Sequence, residues 1–193
     1  NSCACCSVSN TTWFVICLPA LASSFVVAGI LAALRRPASR MGALMVAAGL
    51  VWLFAELANS GISALVAAGM ILATLPLAVV FHLLLAFPSG RLLDRTARLT
   101  VLAAYAVALI GQVPLYLFAA VGPLSVADRP DLVEAGHWVQ RAAGALVVLS
   151  TCRLLARRLV ELPPAQRRVL APLSVYGIFA VLLIPVTSAI GDV

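Results

Sequence analysis

The chain has 193 residues, 63% of them hydrophobic and 10% charged, with a mean hydropathy of +1.10; a soluble domain carries about 25% charged residues. A membrane domain accounts for nearly all of this length and leaves no room for a soluble catalytic domain, which needs about 100–150 residues. The net charge of +6 comes from arginine alone, since lysine is absent; membrane orientation explains it, so nucleic acid is not an expected partner.

Residues 1–11 read as a tail on the outer face and, without an initiating methionine, as the end of a fragment. They lack the positively charged start of a signal peptide. Cys3, Cys5 and Cys6 cluster there. Disulfides persist on that side, a soft metal is an alternative occupant, and an incidental fragment end is the plainest reading.

A spanning helix needs about 20 apolar residues. Six segments qualify, approximately 12–34, 41–58, 62–87, 100–121, 138–158 and 169–190. The predicted fold class is all-α, a polytopic membrane protein built as a bundle of six transmembrane helices, with 191–193 a truncated outer end. Lipid cannot satisfy exposed backbone groups, and the ten-residue alternation of a membrane barrel is missing. Pro19, Pro76, Pro114, Pro172 and Pro185 lie inside or near the ends of these runs, and each is expected to kink its helix. Trp13, Trp52 and Trp138 fall toward outer helix ends, as interfacial aromatics do. Cys17 and Cys152 read as small hydrophobes. The fifth helix is expected to run past the bilayer to Leu162, before Pro163-Pro164.

Eleven of the thirteen arginines fall in three stretches: Arg35, Arg36 and Arg40; then Arg91, Arg95 and Arg98; then Arg153, Arg157, Arg158, Arg167 and Arg168. The 59–61 turn has no charge, and the 122–137 loop sets Arg129 against Asp128, Asp131 and Glu134. Cytoplasmic loops carry the arginine excess. The three arginine-bearing stretches therefore face the cytosol as membrane-orienting elements, and both ends of the chain face outward. The alanine-, leucine- and valine-rich composition suggests a bacterial source, so the expected location is the bacterial plasma membrane. Arginines on the inner end of the fifth helix can reach lipid phosphates; a specific anionic-lipid or partner contact is the alternative to a simple anchor.

Ionisable groups inside a membrane are the default functional candidates. Glu56 lies about 24 Å above the inner face and His82 about 9 Å above it, which separates them too far for an acid–base pair or a shared metal. Gln112 is the strongly polar side chain nearest the midplane; a helix-to-helix hydrogen bond explains it, with a ligand contact as the alternative. Asp128, Asp131, Glu134 and His137 at the outer rim join Gln112 as candidate sensing residues, and His137 can titrate near neutral pH. No catalytic, cofactor-binding or metal-ligating set is evident: there is no zinc pair, nucleophile elbow or phosphate loop. Small-residue spacings such as Ala64/Ala68 and Gly61/Gly69 permit close helix approach, but so much alanine produces them by chance.

Two stretches carry a resemblance. Leu34-Arg35-Arg36-Pro37-Ala38-Ser39-Arg40-Met41-Gly42, followed by Leu50-Val51-Trp52, resembles a turn and helix of actinobacterial multi-pass sensor histidine kinases. Phe81-His82-Leu83-Leu84-Leu85-Ala86-Phe87-Pro88-Ser89-Gly90-Arg91-Leu92 is similar to a more specific segment of the same family. The turn from Leu162 to Pro172 is similar to the proline–arginine link before the family's last membrane helices. Ser39 departs from the usual asparagine, and Ala43 from a frequent tryptophan. The resemblance implies a membrane input region with one further crossing at each end. It also implies a cytosolic kinase region, absent here, that would supply the phospho-accepting histidine, bind ATP and magnesium, form a homodimer and phosphorylate a response regulator.

The leading expectation is therefore a sensory input region embedded in lipid, without catalysis of its own. Pro76 and Pro114 are its expected pivots. A permease or transporter subunit is the alternative, and a membrane-embedded enzyme ranks third. The absence of a midplane acid or base argues against ion-coupled transport.

Overall fold

A computed structural model describes residues 4–92, 94–120 and 122–161, together with residues 175, 177 and 179, and gives side chains from Pro19 onward. Among the described residues every element is helical and no strand occurs. The helices are α1 (Ala4–Arg35), α2 (Met41–Ala55), α3 (Ser63–Leu72), α4 (Leu75–Ala86), α5 (Arg95–Ile110), α6 (Val113–Leu117) and α7 (Pro130–Glu161), with a 3-10 turn over Glu56–Asn59 after α2. Most of the expected 169–190 helix lies outside the described residues, as do Arg167 and Arg168; the three residues described there are helical.

Three stretches are long and apolar enough to cross a membrane: Met41–Asn59, Ser63–Ala86 and Arg95–Leu117, with mean hydropathies of 1.9, 2.4 and 1.7. The interior combines alanines, with Ala22, Ala48, Ala78, Ala86, Ala97, Ala104 and Ala108 all buried, and larger side chains such as Phe81, Leu83, Leu85 and Leu154. Many large apolar side chains nonetheless face outward, among them Leu34 (74% exposed), Leu102 (64%), Ile110 (70%) and Leu146 (66%). Lipid is as apolar as leucine, so helices associate through close backbone approach more than by hiding large side chains. This surface associates with a membrane.

The α1–α2 pair shows that approach at three successive glycines. A Cβ added at Gly29 would lie 2.7 Å from the Val46 nitrogen, one at Gly42 2.6 Å from the Ala33 nitrogen, and one at Gly49 2.6 Å from the Ala22 carbonyl. α1 extends back to Ala4, so residues 4–11, read above as a tail, are helical and continuous with the first expected span. Pro19 does not interrupt α1.

The third and fourth expected spans are each broken. α3 stops at Leu72 and α5 at Ile110, four residues before Pro76 and Pro114 respectively. A proline ring clashes with the carbonyl four residues earlier and offers no N–H to it, so each helix ends at the residue its proline disfavours. Both prolines then open the next helix, in the first turn where a missing N–H costs nothing. The fourth span also starts earlier than expected, at Arg95, because Asp94 adopts an extended conformation (φ −92°, ψ 142°) immediately before it.

α7 begins at Pro130 rather than near Trp138, so the 122–137 loop is irregular only as far as Arg129. Pro130 and Asp131 form its first turn, where proline's fixed φ and a negative charge both favour helix initiation. The segment before it folds back onto the end of α6: the Val126 N–H donates to the Leu117 carbonyl (2.9 Å), Arg129 N–H to Phe118 (3.2 Å) and Ser125 Oγ to Ala119 (2.6 Å). These bonds satisfy carbonyls that a helix end leaves open.

Candidate functional site

The two helix breaks are tied to their neighbours by side-chain hydrogen bonds. Thr74, in the α3–α4 break, donates its hydroxyl to the Ala108 carbonyl at 2.8 Å, a last-turn acceptor of α5 just before the second break. Gln112, in that second break, accepts a hydrogen bond from Gln140 Nε2 of α7 at 2.8 Å. A cleft of about 240 Å³ opens beside them, lined by Ala58, Met70, Ala73, Gln112, Leu115 and Tyr116. Neither Gln112 Nε2 nor the Tyr116 hydroxyl has a hydrogen-bond partner among the described residues. Gly122, in the segment before α7, lies near Met70, where an added Cβ would be 3.8 Å from the methionine methyl.

At the other end of α7, Arg158 donates to the Leu85 carbonyl in the last turn of α4 and pairs with Asp94 at 3.7 Å. A cation at the open carbonyls of a helix C-terminus is favourable for both the hydrogen bond and the dipole. Arg158 is therefore tied to protein, with 26% of its side chain exposed. Arg157 pairs with Glu161 at 3.6 Å on the exposed face of α7, and Arg98 Nε donates to the Leu92 carbonyl at 3.1 Å.

The structure brings the described arginine-bearing segments to one end of the bundle. The Arg35–Arg40 turn meets the Pro88–Arg91 turn, with Ser39 Oγ donating to the Ser89 carbonyl at 3.4 Å. Gly90 has φ +74°, and a Cβ there would lie 2.4 Å from the Met41 nitrogen. Positive φ and close approach both require glycine, which gives the Phe87-Pro88-Ser89-Gly90 stretch a structural reason. Arg158 and Asp94 join α7 to the same end.

Equal spacing links the two ends. Asp94 and Gln112 are eighteen residues apart on the α5–α6 side, and so are Arg158 and Gln140 on α7. Eighteen residues of helix span about 27 Å, so the Gln112–Gln140 pair lies about that far from the arginine-bearing end of the bundle.

The other sensing candidates are separate from this cleft. Asp128 is exposed in the segment before α7, while Asp131, Glu134 and His137 are exposed on its first two turns. Trp138 follows on the same helix with the Arg141 guanidinium 6.0 Å from its ring centre. His82 and Glu56 have separate partners: His82 Nδ1 lies 3.3 Å from the Tyr105 hydroxyl, and Glu56 accepts from Asn59 at 2.9 Å. Tyr105 touches all three clusters of the buried core. Among the described residues no group of three His, Cys, Asp or Glu side chains could hold a metal ion.

Gln140 and Thr74 are the site residues that sequence reasoning missed. Gln140 was legible in principle, as a second carboxamide inside an apolar run. Thr74 gave no signal beyond its place two residues before Pro76. No protein-family model matches the chain, and no characterised protein or solved structure matches it significantly.

Proposed function

We propose that this chain is the membrane input region of a two-component sensor histidine kinase in a bacterial plasma membrane. In this reading six helices cross the bilayer, the fifth within α7 and the sixth over 169–190, with the arginine-bearing turns in the cytosol. A kinase region beyond the chain binds ATP and magnesium, forms the homodimer and phosphorylates a response regulator. The observation that carries the reading is α7 itself. It is an uninterrupted helix of 32 residues, about 48 Å long, that holds the Gln112 break through Gln140, about a third of the way along, and the α4–α5 junction through Arg158 near its C-terminal end. A stimulus that favours one geometry of the breaks would shift two helix arrangements of different stability, and α7 would carry that shift to the cytosolic face.

The test is phosphotransfer by the full-length protein in lipid nanodiscs. Autophosphorylation on histidine is expected, and Pro76→Ala and Pro114→Ala should each change the ratio of kinase to phosphatase activity. An unchanged ratio would remove the pivots, and failure to form phosphohistidine with ATP and magnesium would sink the kinase reading.

A permease subunit is the second reading, favoured by the broken helices beside a cleft, since transporters build substrate sites from such breaks. The cleft's lining has no charged side chain, which weighs against a charged cargo.

A further inference from the structure

We propose that the cleft at the two helix breaks binds a small, uncharged, lipid-soluble molecule with a hydrogen-bond-accepting carbonyl oxygen, of the aromatic ketone class. All three stretches able to cross a membrane line it. Ala58 comes from Met41–Asn59, Met70 and Ala73 from Ser63–Ala86, and Gln112, Leu115 and Tyr116 from Arg95–Leu117. The cleft thus opens among apolar helices, and a lipid-soluble occupant would reach it by partitioning into lipid.

The lining sets the chemistry. No residue in it carries a charge, which disfavours an ionic ligand, because an unpaired ion in a medium of low dielectric is strongly destabilised. Two donors stand in an otherwise apolar wall, the Gln112 carboxamide N–H groups and the Tyr116 hydroxyl, and neither has a partner among the described residues. Both residues are half-buried, and a donor that faces hydrocarbon without an acceptor is destabilised, so a ligand carbonyl that accepts from either one recovers what an acyl chain would leave unmet. Met70 offers a polarizable sulfur, which favours an aromatic ring as its neighbour. Size agrees: a cavity of about 150 Å³ already takes benzene, so about 240 Å³ has room for a two-ring molecule. Bound there, such a molecule would wedge α3 against α6 at the breaks.

The inference rests on the proposed reading for its consequence and not for its chemistry. The test is photolabelling of the full-length protein in liposomes with tritiated benzophenone, a neutral two-ring ketone. On irradiation the excited carbonyl takes hydrogen from a neighbouring C–H bond, and the two carbon radicals then join, with no leaving group. Saturable labelling of Met70 is expected, with competition by acetophenone and not by decane. Ala73→Leu, which fills the cleft, should lower Met70 labelling about tenfold, equivalent to about 1.4 kcal/mol. Tyr116→Phe, which removes one hydroxyl and leaves the shape, should lower it several-fold. Non-saturating label spread over Leu102 and Leu146 as heavily as over Met70 would overturn the site. Equal competition by decane would overturn the hydrogen-bonded ligand in favour of an acyl chain. Site-specific labelling of a protein that forms no phosphohistidine would support the site and count against the kinase reading alone.

Discussion

The α1–α2 hairpin and the α3–α6 region draw on the same alanine-, leucine- and valine-rich sequence, yet they are held in opposite ways. In the hairpin, Gly29, Gly42 and Gly49 let two continuous helices touch backbone to backbone. In the α3–α6 region, Pro76 and Pro114 cut two spans into four helices, and hydrogen bonds from Thr74 and Gln140 hold the cut ends. Close packing has steep walls, and its energy is lost over fractions of an ångström. Hydrogen bonds from side chains can re-form in a second arrangement. The hairpin is thus held by contacts that fail over a fraction of an ångström, and the broken region by bonds that tolerate a change of angle.

The hairpin is where this contrast breaks most sharply. Gly49→Leu forces a side chain against the Ala22 carbonyl and Val26, both 2.6 Å from the first added carbon. It should cost about 3 kcal/mol, the upper part of the usual overpacking range, read as a lowered midpoint of unfolding in a detergent titration. A cost below about 0.5 kcal/mol would mean that the two helices do not touch as described. Arg158→Met comes next, at about 1–2 kcal/mol. Hydrogen bonds to charged groups contribute about 1.5–3 kcal/mol, and Asp94, 59% exposed, adds little through a pair open to solvent. Asp94→Asn should therefore cost clearly less than Arg158→Met in the same titration. The smallest effect belongs to the Gln112–Gln140 pair: a double-mutant cycle with leucine at both positions should give a coupling of about 0.6 kcal/mol, and no more than about 1.7. A coupling of zero would remove the tie between the second break and α7.

Much of the helical layout was legible because apolar runs of membrane length are unmistakable, and both proline breaks were legible as kinks. Their exact place follows from the clash four residues back, which turned kinks at Pro76 and Pro114 into helix ends at Leu72 and Ile110. The glycine contacts of α1 and α2 were not legible, since an alanine-rich helix looks alike on every face. The Gly61/Gly69 spacing shows the same difficulty. Gly69 presses on the 3-10 turn, where an added Cβ would be 2.0 Å from the Ala58 nitrogen, whereas nothing lies within 4 Å of one at Gly61. Gln112 was singled out as an interhelical hydrogen-bonding residue, and Gln140 of α7 is the partner that the sequence did not name. Arg158 read as an anchor, since no sequence pattern reports which backbone carbonyl an arginine reaches.

The matched intervals on α5–α6 and α7 restrict how the two can move. With one crosspiece at Asp94–Arg158 and another at Gln112–Gln140, they form the long sides of a parallelogram. Tilting both together preserves the two crosspieces, while sliding α7 along its axis by one helical turn, about 5.4 Å, would part them at the same moment. The motion that this frame permits is therefore a lean and not a piston stroke.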